Sequence, residues 1–288
     1  MTGPQFRGIR FTVADGLNLH ARDYEGDTTR QPVLCLSGLT RNRRDFEPLV
    51  AHIGGSRRII AMDYRGRGQS DYAPDPKTYR VDVETSDAMA LLDQLGIERA
   101  AIIGTSRGGL IAMAMAARAL DRLAGVLFND IGPAIERAGL LRIRSYLGKA
   151  AHFDSWDDAV GALKRTHAGF TLSEEQWLAY ARRVYRDENG LPHIDYDLRL
   201  GEIFPSAQEI ENSAAPDLWP LFDQLKQVPC AVLRGEHSDL LSEATVAEMA
   251  RRHANLTTTT VKNRGHVPFL DEPESLAAVQ EWLARVDR

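Results

Sequence analysis

A chain of 288 residues is longer than the usual single domain, yet one α/β core carrying an insertion commonly reaches this length. With 26% charged residues and a net charge of −5 there is no basic surplus to neutralise phosphates, which argues against a nucleic-acid partner. No stretch approaches the ~18 uninterrupted apolar residues of a membrane span, and residues 1–7 lack the apolar core of a secretion signal, so a cytoplasmic protein with no membrane attachment is expected.

In chain order, Ile9, Phe11 and Val13 alternate with polar residues, Asp15-Gly16 supplies turn chemistry, and Leu17, Leu19 and Ala21 alternate again, which predicts a hairpin over 9–23. The continuous apolar run 33–36 predicts a strand covered on both faces. It ends at Ser37-Gly38-Leu39-Thr40. Phe46, Leu49, Val50 and Ile53 then share one side of a helix that Gly54-Gly55 ends. A strand over 58–62 runs into Asp63-Tyr64-Arg65-Gly66-Arg67-Gly68-Gln69-Ser70. Beyond the loop of Pro74 and Pro76 a helix ends near Leu95-Gly96.

The next strand, from Ala100, leads through Gly104-Thr105-Ser106-Arg107-Gly108 into an Ala/Met/Leu-rich helix over 110–120. A strand that must reverse into a helix within a few residues forces strained backbone at its apex. Small neighbours at Gly104 and Gly108 let the two elements pass, and the Ser106 hydroxyl stands clear of the main chain. A further strand covers 123–128. Strands separated by helices imply a parallel sheet wound with helices on both faces.

That rhythm breaks at Gly132-Pro133. Helical signals follow: N-caps at Ser155 and Ser173, the latter opening the capping box Ser173-Glu174-Glu175-Gln176, and a stop at Asn189-Gly190. Aromatic residues are frequent there (Phe153, Trp156, Phe170, Trp177, Tyr180, Tyr185, Tyr196, Phe204), and most of them are expected to hold the segment together. The expectation is a helical cap over 133–216, folded above Ser106, on a core made of 1–132 and 217–288. The core resumes with a strand at 230–234, a helix over 243–253, a Thr-rich strand over 256–261 and a closing helix begun by Pro273. Cys35 and Cys230 both sit in apolar strands and read as buried free thiols; two cysteines alone form no structural zinc site.

A serine nucleophile needs a base to take its proton, and the base needs an anionic partner to fix its tautomer. Ser106 follows a mid-chain strand, Asp239 the penultimate strand and His266 the last, so in a parallel sheet all three loops emerge at one edge. Asp239 is the expected acid because its loop directly precedes the histidine's. Asp130, after the strand over 123–128, is its rival, and Asp239 could instead cap the nearby helix. Backbone amides of Leu39 and Arg107 are the expected donors to a developing oxyanion. Arg41, Arg43 and Arg44 beside the first of these could meet an anionic substrate, but a solvated or salt-bridged helix start is the favoured reading.

Together, Gly104-Thr105-Ser106-Arg107-Gly108-Gly109, the run from Asp63 to Ser70 read as D-x-R-G-x-G-x-S, and Gly265-His266 with Pro268 and Asp271-Glu272-Pro273 resemble the α/β-hydrolase family over almost the whole chain. The resemblance implies a capped serine hydrolase with Ser106, Asp239 and His266 as triad and Leu39 and Arg107 as oxyanion donors. Many members have His-Gly where this chain has Ser37-Gly38, a change the backbone donor survives. Serine at position 106 argues against the branches with a carboxylate nucleophile, and Val267 after the histidine argues against the branch that cleaves carbon–carbon bonds.

The resulting expectation is hydrolysis of a small to medium carboxylic ester or lactone through an acyl-enzyme, with no metal or organic cofactor and a small ester-like molecule as the partner. The alternatives are carbon–carbon hydrolysis of a vinylogous diketone by the same residues, and a non-catalytic ligand-binding protein on the same scaffold.

Overall fold

The computed structural model describes residues 5–167, 169–213 and 215–288, so residues 1–4, on which part of the localisation expectation rests, lie outside it. The first strands, β1 (Phe6–Thr12) and β2 (Asn18–Tyr24), pair antiparallel around a turn in which Gly16 takes φ +86°. Then strands and helices alternate: β3 (Val33–Leu36), α1 (Glu47–Ile53), β4 (Ile59–Asp63), α2 (Val81–Gln94), β5 (Ala100–Thr105), α3 (Arg107–Ala119) and β6 (Leu123–Asn129).

Beyond β6 the chain leaves the sheet for α4 (Arg137–Tyr146), α5 (Trp156–Thr166), α6 (Glu174–Val184), β7 (Tyr185–Glu188), β8 (Leu191–Ile194), and the short α7 (Leu200–Ile203), α8 (Ala207–Asn212) and α9 (Trp219–Phe222). It returns through β9 (Cys230–Gly235), α10 (Glu243–Arg252), β10 (Leu256–Val261) and α11 (Pro273–Val286).

The eight-stranded sheet has the order β1-β2-β4-β3-β5-β6-β9-β10; β2 runs antiparallel to both its neighbours, and every other pair is parallel. Alternation along the central strands feeds two cores. Leu34, Ile102, Val126 and Val232 pack with Leu91 of α2, Ile111 of α3 and Met249 of α10, whereas Val33, Ile103, Leu127 and Leu233 pack with Val50 of α1 and Val279 and Trp282 of α11. Each such fully buried aliphatic side chain contributes about 1.5–3 kcal/mol relative to exposure. Strands covered on both faces therefore read as unbroken apolar runs.

One local expectation fails. Asn189-Gly190 does not stop a helix; it is the turn of a two-stranded hairpin joining β7 to β8 within the inserted segment. Both residues take positive φ, 55° and 88°, which is the backbone a tight hairpin with right-handed strand twist requires. The Ser155 cap and the Ser173–Gln176 capping box form as expected. Cys35 and Cys230 are buried free thiols in β3 and β9. Among the described residues no helix is long and apolar enough to cross a membrane.

Candidate active site

Parallel strands β5, β6, β9 and β10 send their following loops to one edge, and those loops carry Ser106, Asp130, Asp239 and His266. Ser106 sits at the turn from β5 into α3 with φ 50° and ψ −112°, a conformation that costs a non-glycine residue on the order of 1–3 kcal/mol. Its neighbours make the turn sterically feasible. A Cβ on Gly104 would come within 2.6 Å of the Gly108–Gly109 backbone, and one on Gly108 would strike the Leu36 carbonyl oxygen. Hydrogen bonds from Ser106 N to Asn129 O (3.0 Å) and from Gly109 N to Ser106 O (2.9 Å) hold the apex.

The His266 imidazole bridges this hydroxyl and a carboxylate. Asp130 Oδ2 accepts from Nδ1 at 2.7 Å, which leaves Nε2 as the acceptor for the Ser106 hydroxyl at 3.0 Å. Asp130 is fully buried and also accepts from Gly235 N (2.8 Å) and Ser238 Oγ (2.6 Å), so both of its oxygens are hydrogen-bonded. The histidine loop is fixed on both sides. Asn129 Nδ2 donates to Pro268 O at 3.0 Å, and Glu272 joins Arg264 (2.7 Å) to the Phe269 amide (2.8 Å).

Asp239, the acid expected from loop order, is elsewhere. It accepts from Arg142 of α4 through Nε (2.5 Å) and Nη2 (2.9 Å). Burial would raise its carboxyl, but the Arg142 hydrogen bonds and charge outweigh that and hold it below the usual carboxylate range. The physical reason is the packing of α4 on the β9 loop: Gly139 N donates to Asp239 O (2.9 Å), a Cβ at Gly139 would press on Leu240, and Arg142 projects from the same face three residues on. β6 lies between β5 and β9, so Asp130 at its end is adjacent both to Ser106 and to the β9 loop, which supplies the Ser238 hydroxyl in place of a carboxylate.

The two expected oxyanion residues are tied to one buried carboxylate. Arg67 donates to Leu39 O (2.9 Å) and to Glu84 Oε1 (2.7 Å), while Arg107 donates to Glu84 Oε2 (2.5 Å). Tyr64 supports the same loop through Ser37 O at 3.1 Å. Leu39 lines the cavity beside Ser106, and the Arg107 amide is the first N–H of α3, with no partner inside the helix. Glu84 was not singled out by sequence reasoning. It shares the buried face of α2 with Ala88, Leu91 and Leu92, and a carboxylate on such a stripe is the signal that marks it.

Ser106 and His266 line a cavity of about 740 Å³, to which α4, α5, α6 and the hairpin also contribute walls. Of the aromatic residues noted in the inserted segment, Phe153, Tyr180, Tyr185 and Tyr196 line it; Phe170 and Trp177 pack beneath, in a small apolar cluster with Phe269. His167 also lines it. Burial first, then the nearby Arg142 and Arg41 charges, push its imidazole down to about 3, so it stays neutral and its Nε2 accepts from Tyr180 Oη at 3.2 Å. Of the three clustered arginines, Arg43 is held by Asp63 and Arg44 by Asp195, whereas Arg41 pairs with Asp45 and faces the cavity.

A model described as the alpha/beta hydrolase family matches residues 33–279. The 3-hydroxybutyrate-oligomer hydrolase of Cupriavidus necator is 31% identical over 287 residues, spanning 97% of this chain and 98% of that protein. The 2-(acetamidomethylene)succinate hydrolase of Mesorhizobium japonicum is 26% identical over 87% of each chain. Among solved structures, an alpha/beta hydrolase from Novosphingobium aromaticivorans is 44% identical, with a TM-score of 0.91 over 99% of this chain and 100% of that one.

Proposed function

The chain belongs to the alpha/beta hydrolase family, and on that premise we propose that it is a serine hydrolase cleaving a small to medium carboxylic ester or lactone through an acyl-enzyme. The observation that carries the reading is the hydrogen-bonded series Ser106–His266–Asp130 lining a cavity. In the proposed reaction the Ser106 hydroxyl gives its proton to His266 Nε2 as Oγ attacks the ester carbonyl. The oxyanion of the tetrahedral intermediate accepts from the Leu39 and Arg107 amides; each donor of this kind is worth about 3–4 kcal/mol of transition-state stabilisation.

The imidazolium, steadied by Asp130, then protonates the leaving alcohol, and a water activated by the same nitrogen releases the acid. Asp130 takes the role that loop order had assigned to Asp239. Residues 133–216 act as the cap that shapes the cavity above a core of 1–132 and 217–288.

The relative named as an oligomer hydrolase, similar over its whole length, supports ester over carbon–carbon cleavage. Turnover of p-nitrophenyl butyrate, abolished in Ser106→Ala together with fluorophosphonate labelling, is the expected result. Silence toward both probes in the unaltered protein would favour a binding module. Preference for a vinylogous diketone over any ester would move the reading to carbon–carbon hydrolysis.

A further inference from the structure

The wall of the cavity that Ser106 lines holds an uneven arrangement of charge. Four cations besides Arg183 line it: Arg41 and Arg142 are committed, to Asp45 and Asp239, while Lys149 and Arg165 are side chains exposed to solvent. Arg183, in the last turn of α6, lines it too, and among the described residues no carboxylate lies within salt-bridge distance of its guanidinium. Aromatic faces hold it instead: its guanidinium carbon is 5.1 Å from the Phe269 ring centre and 5.8 Å from that of Tyr180, while Arg41 stands 4.9 Å from Tyr180. Stacking of this kind orients a guanidinium while leaving its N–H edge unused.

The placement has an energetic tension. Burial weakens the charged form of Arg183 and the neighbouring Arg41 charge weakens it further; the Asp45 and Asp271 carboxylates oppose this without cancelling it. An incoming anion would relieve the repulsion and replace the lost hydration with two parallel N–H···O bonds. The backbone beneath is anchored for such a task. Asn42 Nδ2 donates to Arg183 O (3.4 Å), and Arg44 to Tyr185 O (3.1 Å), which ties the end of α6 to the core loop. Phe269, on which Arg183 stacks, lies three residues beyond His266, so an anion on Arg183 stands over the same loop that carries the base. Of the acidic residues of the wall, Asp45 is taken up by Arg41, and Asp154, Asp157 and Asp158 belong to the start of α5 and the turn before it.

We propose that Arg183 receives a carboxylate of the substrate, so that the ester cleaved at Ser106 is one that carries a free carboxyl group. This rests on the ester hydrolysis proposed above and narrows it to anionic esters, such as those of hydroxy acids or dicarboxylic acids.

The test compares mono-p-nitrophenyl glutarate with its methyl ester, which differs only in the missing charge. The unaltered protein is expected to favour the anionic ester in kcat/KM by about ten- to a hundredfold, mostly through KM, the range expected for a charge-assisted paired hydrogen bond. Arg183→Gln collapses that ratio toward one, and Arg183→Lys restores part of it. A ratio near one in the unaltered protein, or one that survives in Arg183→Gln, overturns the proposal.

Calorimetric binding of glutarate to Ser106→Ala, with and without Arg183→Gln, reads the anion site separately from the chemistry. Glutarate binding that depends on Arg183, in a protein that turns over no ester, removes the reaction and keeps the anion site. Ester turnover indifferent to charge, with no glutarate bound, removes the anion site and keeps the reaction.

Discussion

Asp130 and His266 form the shorter of the two links through the imidazole: Oδ2 of the buried carboxylate accepts from Nδ1 at 2.7 Å, against 3.0 Å from Nε2 to Ser106, and a serine hydroxyl and a backbone amide complete the shell of Asp130. Removing the charge while keeping the shape leaves the imidazole in the wrong tautomer. Asp130→Asn is therefore expected to lower kcat about 10⁴-fold on p-nitrophenyl butyrate. Asp239→Asn, which loosens a partly exposed pair with Arg142, changes kcat by no more than about threefold and costs about 1 kcal/mol of stability. The reverse ranking of the two variants in steady-state kinetics would return the acid role to Asp239.

Glu84 is fully buried and joins Arg67, which holds the Leu39 carbonyl, to Arg107, the first residue of α3. Glu84→Gln leaves two guanidinium charges with one neutral partner. The expected cost is about 3–5 kcal/mol in urea unfolding, accompanied by a fall in kcat as the two proposed oxyanion donors, the Leu39 and Arg107 amides, lose their common anchor. Unchanged unfolding and unchanged kcat would show that the link carries neither load.

Close passage of α3 over β3 depends on the missing side chain at Gly108. Gly108→Ala drives a methyl group into the Leu36 carbonyl oxygen and is expected to cost at least about 1–3 kcal/mol. Gly161, inside α5, offers the opposite case, since a Cβ there meets only the end of the Arg165 side chain at 3.5 Å. Gly161→Ala is expected to stabilise by about 0.5–1 kcal/mol through helix propensity. Chemical denaturation of the two variants checks both signs.

Burial and the Arg142 and Arg41 charges lower the His167 imidazole from its ordinary 6.5 to about 3. Between those values the unfolded chain binds a proton that the folded chain refuses, so stability is greatest above the upper value and falls as pH drops through the window. Replacing His167 by Gln removes that contribution. The expected difference between the unaltered protein and His167→Gln in unfolding free energy shrinks steadily from pH 7 toward pH 4; a pH-independent difference would contradict the buried neutral state.

Much of this arrangement was legible before any coordinates. Continuous apolar runs marked β3, β5, β6 and β9 because a sheet covered on both faces needs apolar residues on both sides, and Gly104, Ser106 and Gly108 marked the turn because only small neighbours let a strand reverse so sharply. The choice between Asp130 and Asp239 was not legible. Both follow parallel strands at the same edge, and what separates them is contact between segments distant in sequence, the docking of α4 that delivers Arg142 to Asp239 and the Ser238 hydroxyl that completes Asp130. Asn189-Gly190 misled for a local reason: the same dipeptide ends helices and closes hairpins, and only its pairing context, Tyr185–Glu188 against Leu191–Ile194, decides which.

Covalent capture at Ser106 tests the central claim most directly. When the protein is mixed with p-nitrophenyl butyrate, quenched within a second and digested, the peptide containing Ser106 is predicted to gain the mass of one butyryl group, with the adduct persisting longest in Asp130→Asn and missing in Ser106→Ala. Full ester turnover by Ser106→Ala, or a butyryl group found only on another residue, would contradict it.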